Sequence, residues 1–333
     1  MKKISLIVSI LGFTVAGCTN GAQNDNAATN TPNNATNISA ESFSSPKKKL
    51  QTIGVALGDL GNPFYNAVQQ AAETEAQKIG GNIRVNAVSS GFDLNQQSNQ
   101  IENFTAANTD LIILSAVDKK GVKPVIDQAR LAGRVVIALD SAVDADVDAM
   151  ISSNNTQAGE VACQYIADRL KGQGSVVILN GTPMDSINQR VSGCEKSLSK
   201  YPNIKLISKE QNAEGTRDGG LRVMSDLLTT FPKIDAVFAT NDQSGVGADL
   251  AARQARRKEF FIVGVDGSPD ATKAMEDKDG VFAATAAQNP AEMAQKAVQI
   301  GNDIIQGKKP KSPNILIPVN LVTRENLSNY KGW

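Results

Sequence analysis

The sequence has 333 residues with 34 basic and 34 acidic side chains, so its formal net charge is zero. A neutral chain argues against a nucleic-acid-binding protein, which normally carries a basic surplus. Histidine is absent, which removes the commonest general base, the commonest metal ligand and every Ser-His-Asp or Cys-His catalytic arrangement. We therefore expect no nucleic-acid partner, no metal and no cofactor.

The first 17 residues are typical of a secretory signal. Residues 1–3 are basic after the initial Met, residues 4–14 are mostly apolar but too few to span a bilayer, and small residues follow. The sequence Val-Ala-Gly-Cys at 15–18 resembles the lipobox of bacterial lipoproteins, in which Cys18 is lipidated and becomes the mature N-terminus. The alternative is an ordinary signal with a chance cysteine. We expect an exported protein, periplasmic or at the cell surface, that a lipid anchors to a membrane.

Residues 18–48 are rich in Asn, Thr, Ala and Ser, and they predict a disordered tether. Such a segment buries too little apolar surface to offset the entropy of ordering. The lysines at 47–49 favour a solvated boundary, with contact to anionic lipid as the alternative. The roughly 285 residues that follow suffice for two domains by the usual size of a domain.

From residue 49 onward, apolar runs alternate with segments of helical periodicity. The clearest helical segments are 64–79, 122–132, 158–170 and 291–305. The runs that predict strands are 52–57, 83–88, 111–116, 135–139, 176–179, 204–207, 236–239, 261–265, 282–286 and 315–319.

Apolar strands that alternate with helices indicate parallel sheets covered on both faces. A break near residues 152–155 separates two such sets, so we expect an α/β fold of two doubly wound, Rossmann-like domains. The two late strands flank a helix, which indicates that the chain crosses back between domains. We expect residues 49–153 plus 289–317 to form the N-terminal domain and residues 154–288 plus 318–333 the C-terminal domain.

Two cysteines remain if Cys18 carries lipid. Cys163 and Cys194 fall in helical patterns that flank one strand, and the expected compartment is oxidising. A structural disulfide is favoured over two buried free thiols, and two ligands are too few for a metal site.

Polar and aromatic side chains follow the carboxyl ends of the strands, where open α/β sheets bind ligands. Carboxylates, amides, an arginine and aromatic faces together suit a small neutral polyhydroxy ligand. The plainer interpretation is that polar residues cap turns after strands in any α/β domain. The residues concerned are Asn62, Phe64, Tyr65, Asp140, Arg190, Asn241, Asp266 and Gln288.

Six short stretches carry a resemblance to a known family: GNPFY at 61–65, ALD at 138–140, RVSG at 190–193, VFATND at 237–242, VGVDGSPD at 263–270 and AAQ at 286–288. From residue 51 onward the chain resembles the periplasmic sugar-binding proteins of the ribose-binding type, which are the receptors of carbohydrate ABC importers. The resemblance implies two domains that close on a ligand about a three-segment hinge near residues 153, 288 and 318.

The resemblance also implies which side chains face the ligand. Asn62, Phe64, Tyr65 and Asp140 would line the N-terminal side of the cleft, and Arg190, Asn241, Asp266 and Gln288 would line the C-terminal side. Ser115 and Ser141 complete the candidate ligand-binding set.

Two positions depart from the family pattern. Ser141 stands where the family has an arginine, and Gly215 stands where it has an aromatic residue. Besides ribose, these departures leave open a ketose such as fructose, another pentose or a linear polyol.

The leading prediction is a monomeric substrate-binding lipoprotein of an ABC sugar importer, which delivers a monosaccharide to a membrane permease. No GxxxxGK[ST] motif occurs, so a separate ATPase subunit would supply the energy. A receptor for a polyol or another small hydroxylated solute, or a chemosensory receptor, would use the same site. A transcriptional repressor that responds to sugars would share this fold. The secretory signal stands where the helix-turn-helix of such a repressor would be, which argues against this alternative.

An exported sugar-active enzyme would need a carboxylate pair drawn from Asp140, Asp242 and Asp266. Against this alternative, we expect Arg190 or sugar hydroxyls to hold Asp266 ionised rather than with a raised pKa. The prediction is therefore a binding protein and not an enzyme.

Overall fold

The computed structural model describes residues 48–333, which form one compact unit. The predictions of a signal at 1–17, of lipid on Cys18 and of a tether at 18–48, apart from its last residue, lie outside the described residues. Within the described part of the chain, no helix combines the length and apolar character needed to cross a membrane.

Strands and helices alternate along most of the described chain. The strands are β1 (Thr52–Leu57), β2 (Arg84–Ser89), β3 (Leu111–Leu114), β4 (Val135–Leu139), β5 (Ala149–Ser153), β6 (Gln173–Leu179), β7 (Asn203–Ser208), β8 (Ala236–Ala239), β9 (Phe261–Asp266), β10 (Phe282–Ala287), β11 (Asn314–Ile317) and β12 (Asn320–Thr323). The helices are α1 (Pro63–Ile79), α2 (Leu94–Ala106), α3 (Lys123–Leu131), α4 (Asn155–Arg169), α5 (Asp185–Leu198), α6 (Arg217–Thr230), α7 (Asp242–Ala255), α8 (Pro269–Glu276) and α9 (Pro290–Ile305), followed by a short 3-10 turn at Leu327–Asn329.

The strands form two six-stranded sheets. The first sheet has the order β11-β5-β4-β3-β1-β2, and all its neighbours are parallel. The second has the order β12-β10-β9-β8-β6-β7, in which β12 runs antiparallel to β10 and the other pairs are parallel. Apolar clusters lie on both faces of each sheet, which is why the strands read as continuous apolar runs. The predicted fold of two doubly wound α/β domains is confirmed.

Two details of the strands differ from the prediction. The predicted strand at 315–319 corresponds to β11, which ends at Ile317 because Pro318 has no amide hydrogen to continue the ladder, and β12 was not predicted. β11 ends before Pro318 in the first sheet, and β12 begins after it in the second. β5 was not predicted, because Ser152 and Ser153 limit its apolar run to Ala149, Met150 and Ile151.

Helices α4 and α5 approach each other at the level of their backbones. A Cβ atom added to Gly159 would collide with the carbonyl oxygen of Arg190, and one added to Gly193 would collide with the carbonyl oxygen of Thr156. Glycine is therefore required on both helices at this crossing. The crossing fixes the position of α5, the helix that carries Arg190.

A disulfide joins the same two helices. The Cα atoms of Cys163 and Cys194 are 5.0 Å apart, and both side chains are fully buried. The bond makes α4 and α5 neighbours by a covalent link as well as by packing.

We expect reduction of this disulfide to destabilise the protein. The bond closes a loop with a sequence separation of 31, and a loop of that length is worth about 3–4 kcal/mol in chain entropy. Thermal unfolding with and without dithiothreitol measures the effect, and the double variant Cys163→Ala/Cys194→Ala, on which the reductant should have no effect, is the control. Free-thiol titration of unfolded, unreduced Pro46–Trp333 should find no thiol, and two reactive thiols would contradict the assignment.

Candidate functional site

A cavity lies where the carboxyl ends of the strands of both sheets face each other. Seven of the predicted site residues line it, four from the side of the first sheet and three from the side of the second: Asn62, Phe64, Tyr65, Asp140, Arg190, Asn241 and Asp266. The fold therefore brings together side chains that are more than 200 positions apart in the sequence.

The start of α1 supplies the aromatic wall. Asn62 caps the helix, because its Oδ1 accepts a hydrogen bond from the amide of Phe64 at 3.0 Å, and Pro63 occupies the first turn. The rings of Phe64 and Tyr65 are buried and meet edge to face, with their centroids 5.3 Å apart. This wall offers apolar surface to the C–H groups of a small ligand.

Asp140 directly follows β4 and is the acidic residue of this wall. Its backbone takes a positive φ of 65°, and only 4% of the residue is exposed. Oδ2 accepts a hydrogen bond from Oγ of Ser115 at 3.4 Å, whereas Oδ1 accepts none from any residue between 48 and 333. Burial raises the pKa of Asp140 against the opposing effect of the Arg190 guanidinium. One buried carboxylate oxygen is thus free to accept a hydrogen bond from a ligand.

Arg190 of α5 connects the two halves of the cavity. Its Nε donates to Oδ1 of Asn155 at 2.9 Å, and its Nη1 donates to the carbonyl oxygen of Thr240 at 2.8 Å. Nη1 lies 3.5 Å from Oδ1 of Asp266, and Nη2 lies 3.9 Å from Oδ1 of Asp140. The guanidinium is held between two carboxylates that belong to different sheets.

Asp266 ends β9 and faces Arg190. Its Oδ1 accepts a hydrogen bond from Nε2 of Gln288 at 2.7 Å, and its Oδ2 lies 3.4 Å from the amide nitrogen of Asp242. Burial raises the pKa of Asp266 to about 6, although Arg190 and Gln288 act in the opposite direction. The expectation that Arg190 would keep this pKa from rising was wrong, because desolvation of a residue that is 4% exposed outweighs one guanidinium at 3.5 Å.

Asp242 lies behind Asp266 and does not line the cavity. Its Oδ2 accepts a hydrogen bond from the amide of Ser268 at 2.7 Å, and its Oδ1 accepts one from Oγ1 of Thr285, also at 2.7 Å. Burial, followed by the nearby charge of Asp266, raises its pKa well above the ordinary value. These bonds hold the turn between β9 and α8, so Asp242 supports Asp266 and is not placed to contact a ligand.

Three predicted residues do not line the cavity. Ser115 lies behind Asp140, and Gln288 bonds to Asp266. Ser141 is buried, and its hydroxyl has no hydrogen-bond partner within residues 48–333. Asn241 does line the cavity, but its Oδ1 also caps α7 and its Nδ2 donates to the carbonyl oxygen of Gly215 at 2.7 Å.

The prediction missed several lining residues, namely Phe92, Thr182, Met184, Ser186, Ile187 and Glu214. The sulfur of Met184 lies 3.9 Å from the hydroxyl of Tyr65, and the Phe92 ring centroid lies 6.2 Å from that of Tyr65. Most of these residues lie in loops or are apolar, so a search for polar residues at strand ends passes over them. Gly215 lines the cavity but has no aromatic ring to offer a ligand. On this side of the cavity, that of the second sheet, Met184 and Ile187 supply apolar surface instead.

The two halves also meet at the rim of the cavity. Nζ of Lys119, in the loop after β3, lies 3.0 Å from Oδ1 of Asp185 at the start of α5. Together with the contact of Tyr65 to Met184, this ion pair joins the two halves through the adjacent residues Met184 and Asp185. The two halves are therefore in direct contact across the cavity.

Comparison with known proteins gives a consistent result. The model of the periplasmic binding protein domain matches residues 53–309. The ribose import binding protein of Bacillus subtilis is 31% identical over 288 residues, which cover 86% of this chain and 92% of the relative.

Two solved structures illustrate the likeness in fold. The fructose-binding periplasmic domain of a hybrid two-component system is 30% identical with a TM-score of 0.77, covering 84% of this chain and 92% of that one. The binding protein of the arabinose ABC transporter of Shewanella sp. ANA-3, bound to L-arabinofuranose, is 27% identical with a TM-score of 0.78, covering 84% and 94%. On the extent of these matches, the chain belongs to the periplasmic binding protein family.

Proposed function

We propose that this protein is the substrate-binding component of an ABC-type sugar importer, which captures one monosaccharide in the cavity between the two sheets. The observation that carries the proposal is the arrangement of Arg190 between Asp140 and Asp266 beneath the aromatic wall of Phe64 and Tyr65. Carboxylates accept hydrogen bonds from sugar hydroxyls, the guanidinium donates to hydroxyl or ring oxygens, and the rings cover C–H groups. The similar proteins are named as binding proteins and transporter components, which supports binding over catalysis.

The proposed ligand is a pentose or a ketohexose such as fructose, with ribose included. The three similar proteins described above are named for ribose, fructose and L-arabinofuranose, whereas others are named for D-allose, an aldohexose, and for xylitol, a polyol. Three carboxylates (Asp140, Glu214 and Asp266) and one guanidinium (Arg190) line the cavity, so a neutral ligand fits it better than a sugar acid or a sugar phosphate.

The proposal includes closure about a hinge. Residues 49–153 plus 289–317 would move as one domain and residues 154–288 plus 318–333 as the other. The chain passes between the sheets after β5, after β10 and after β11, so three connections near residues 153, 288 and 318 would share the bending. Lys119 and Asp185 would then come together only on closure.

A membrane permease and a separate ATPase subunit are the proposed partners, and the protein would act as an exported monomer. Lipidation of Cys18 would hold it at a membrane, with residues 18–48 as the tether. This arrangement would keep the binding unit close to its permease without a transmembrane helix of its own.

The experiment that tests the proposal is thermal unfolding of Pro46–Trp333 against a panel of pentoses, hexoses, ketoses and polyols. A ligand at 100 times its Kd should add about 2.7 kcal/mol to the free energy of unfolding, which raises Tm by a few degrees. The proposal predicts a clear rise with a pentose or with fructose. No rise with any sugar would contradict it, and a rise with polyols alone would correct the ligand class.

Sugar affinity should fall as the pH drops through 6. The pKa of Asp266 is about 6, against an ordinary value of 3.8, and sugar hydroxyls donate to its ionised form. A protonated Asp266 must lose its proton on binding, so we expect the Kd at pH 5 to be about tenfold higher than at pH 7.5. Calorimetric titration at both values measures the change, and an equal Kd at both would contradict the assigned role of Asp266.

The same pKa predicts the pH dependence of stability without ligand. The folded protein binds the Asp266 proton more tightly than the unfolded chain, because its pKa is raised. The stabilisation from this group is therefore fully present below about pH 4 and is lost as the pH rises through 6. The charged groups that face Asp266 are Arg190, Asp140 and Asp242, and the raised pKa values of the two aspartates add to the loss in the same direction.

A further inference from the structure

The segment after β12 contacts the turn that carries Asp266. The hydroxyl of Tyr330 donates to the carbonyl oxygen of Gly267 at 2.8 Å, and Nε1 of Trp333 donates to the carbonyl oxygen of Asp266 at 2.9 Å. Both residues of this turn have a positive φ, 136° at Asp266 and 78° at Gly267. The turn is an uncommon backbone conformation, and two side-chain donors brace its carbonyl groups.

The Trp333 ring also contacts the opposite half of the molecule. It packs against the apolar cluster that α1 and α9 form on the first sheet, and it stands edge to face with Phe64 at 6.4 Å between centroids. The ring borders a surface groove with Pro63 and Ala67 of α1 and with Pro269 of α8. Trp333 therefore touches the backbone of one cavity residue and the ring of another, and these two residues belong to different halves.

We propose that Trp333 is a latch that holds the cleft closed over its ligand. The segment that carries it follows β12 of the second sheet, and its indole N–H is bonded to the second half. Opening the cleft would keep this bond and break the contact of the ring with Phe64 and α1. The latch thus stabilises the closed form and not the open form. In the closed form Trp333 acts as a positioning residue for Asp266 and Phe64.

The inference rests on the proposed function, since a latch needs a ligand-dependent closure. It is separate from direct recognition of the ligand, because Trp333 does not line the cavity. Tyr330 supplies the contrast: it donates to the same turn and packs on the apolar cluster of the second sheet, which belongs to its own half of the molecule. If Trp333 only supports the turn, its substitution should affect sugar dissociation as substitution of Tyr330 does. If Trp333 is a latch, its substitution should have the larger effect.

Fluorescence offers a direct readout, because Trp333 is the single tryptophan of the chain. Addition of the sugar that raises Tm should shift the emission of Pro46–Trp333 to shorter wavelength, as the ring moves from water onto Phe64 and α1. The shift should saturate with the Kd found by calorimetry. Sugar binding without a change in emission would overturn the latch while leaving the proposed function intact, and absence of any binding would overturn both.

Variants test the latch by kinetics. Trp333→Ala should raise the dissociation rate of the sugar about tenfold and leave the association rate within about twofold, because the lost contact forms only on closure. Trp333→Phe should fall between Trp333→Ala and wild type, since it keeps an aromatic contact. Tyr330→Phe should change the dissociation rate by less than about threefold.

Two results would overturn the latch. If Trp333→Ala and Tyr330→Phe raised the dissociation rate equally, Trp333 would only support the turn at Asp266, as Tyr330 does. If Trp333→Ala left the dissociation rate unchanged, Trp333 would not hold the cleft closed.

Discussion

Asp266→Asn is expected to weaken sugar binding at least tenfold while the protein stays folded. Asparagine keeps the size of the side chain, but it replaces a charged acceptor with a neutral one and leaves Arg190 facing one carboxylate instead of two. A hydrogen bond to a charged group is worth about 1.5–3 kcal/mol, so the loss of one such bond accounts for a tenfold change or more. Arg190→Ala should have an effect of at least the same size, because it leaves both carboxylates buried without their cation.

Calorimetric titration with the sugar that raises Tm measures this prediction, and Asp279→Asn is the matched control. Asp279 is an exposed aspartate of the same half that pairs with Lys258 on the surface. The unliganded Asp266→Asn protein should unfold at or above the wild-type temperature, since burial raises the pKa of the native carboxyl and its ionised form is costly. A Kd within threefold of wild type in both Asp266→Asn and Arg190→Ala would contradict the site.

Gly159→Ala is expected to lower the free energy of unfolding strongly. Its Cβ would collide with the carbonyl oxygen of Arg190, which is backbone and cannot move aside as a flexible side chain does. Overpacking typically costs about 1–3 kcal/mol, and we expect the upper end of that range because α4 and α5 would have to separate. Separation would also move Arg190 away from Asp266, so affinity should fall together with Tm.

Gly81→Ala is the control for this substitution. Gly81 has no atom near the position of an added Cβ and has no positive φ, so its replacement should change the free energy of unfolding by less than about 0.5 kcal/mol. Denaturant unfolding of the two variants measures the difference. Equal midpoints for Gly159→Ala and Gly81→Ala would contradict the close helix crossing.

The alternation of apolar strands and helices was sufficient to predict the α/β fold, since a buried parallel strand is apolar at nearly every position. The same argument failed at β5, because its two serines take part in the backbone hydrogen bonds of the sheet but do not belong to an apolar run. It also failed near Pro318, because the predicted strand ends at Ile317 in the first sheet and β12, which was not predicted, begins at Asn320 in the second. Sequence periodicity does not state which sheet a strand joins, and that choice depends on long-range packing.

For the candidate site, polar residues at strand ends were informative because the topology places those ends together. Asp140 and Asp266 lie at such ends, and the structure puts both beside Arg190. Met184 and Phe92 could not be predicted in this way, because an apolar residue in a loop gives no sign of the cavity it faces. The raised pKa of Asp266 was also missed, since its cause is burial by residues far away in the sequence.

The most direct test of the account is a crystal structure of Pro46–Trp333 with the sugar that gives the largest rise in Tm. The account predicts one sugar molecule between the rings of Phe64 and Tyr65 and the polar groups of Arg190 and Asp266, with hydroxyls on the carboxylates of Asp140 and Asp266. A sugar bound outside this cavity, or inside it without contact to Arg190 and Asp266, would contradict the account.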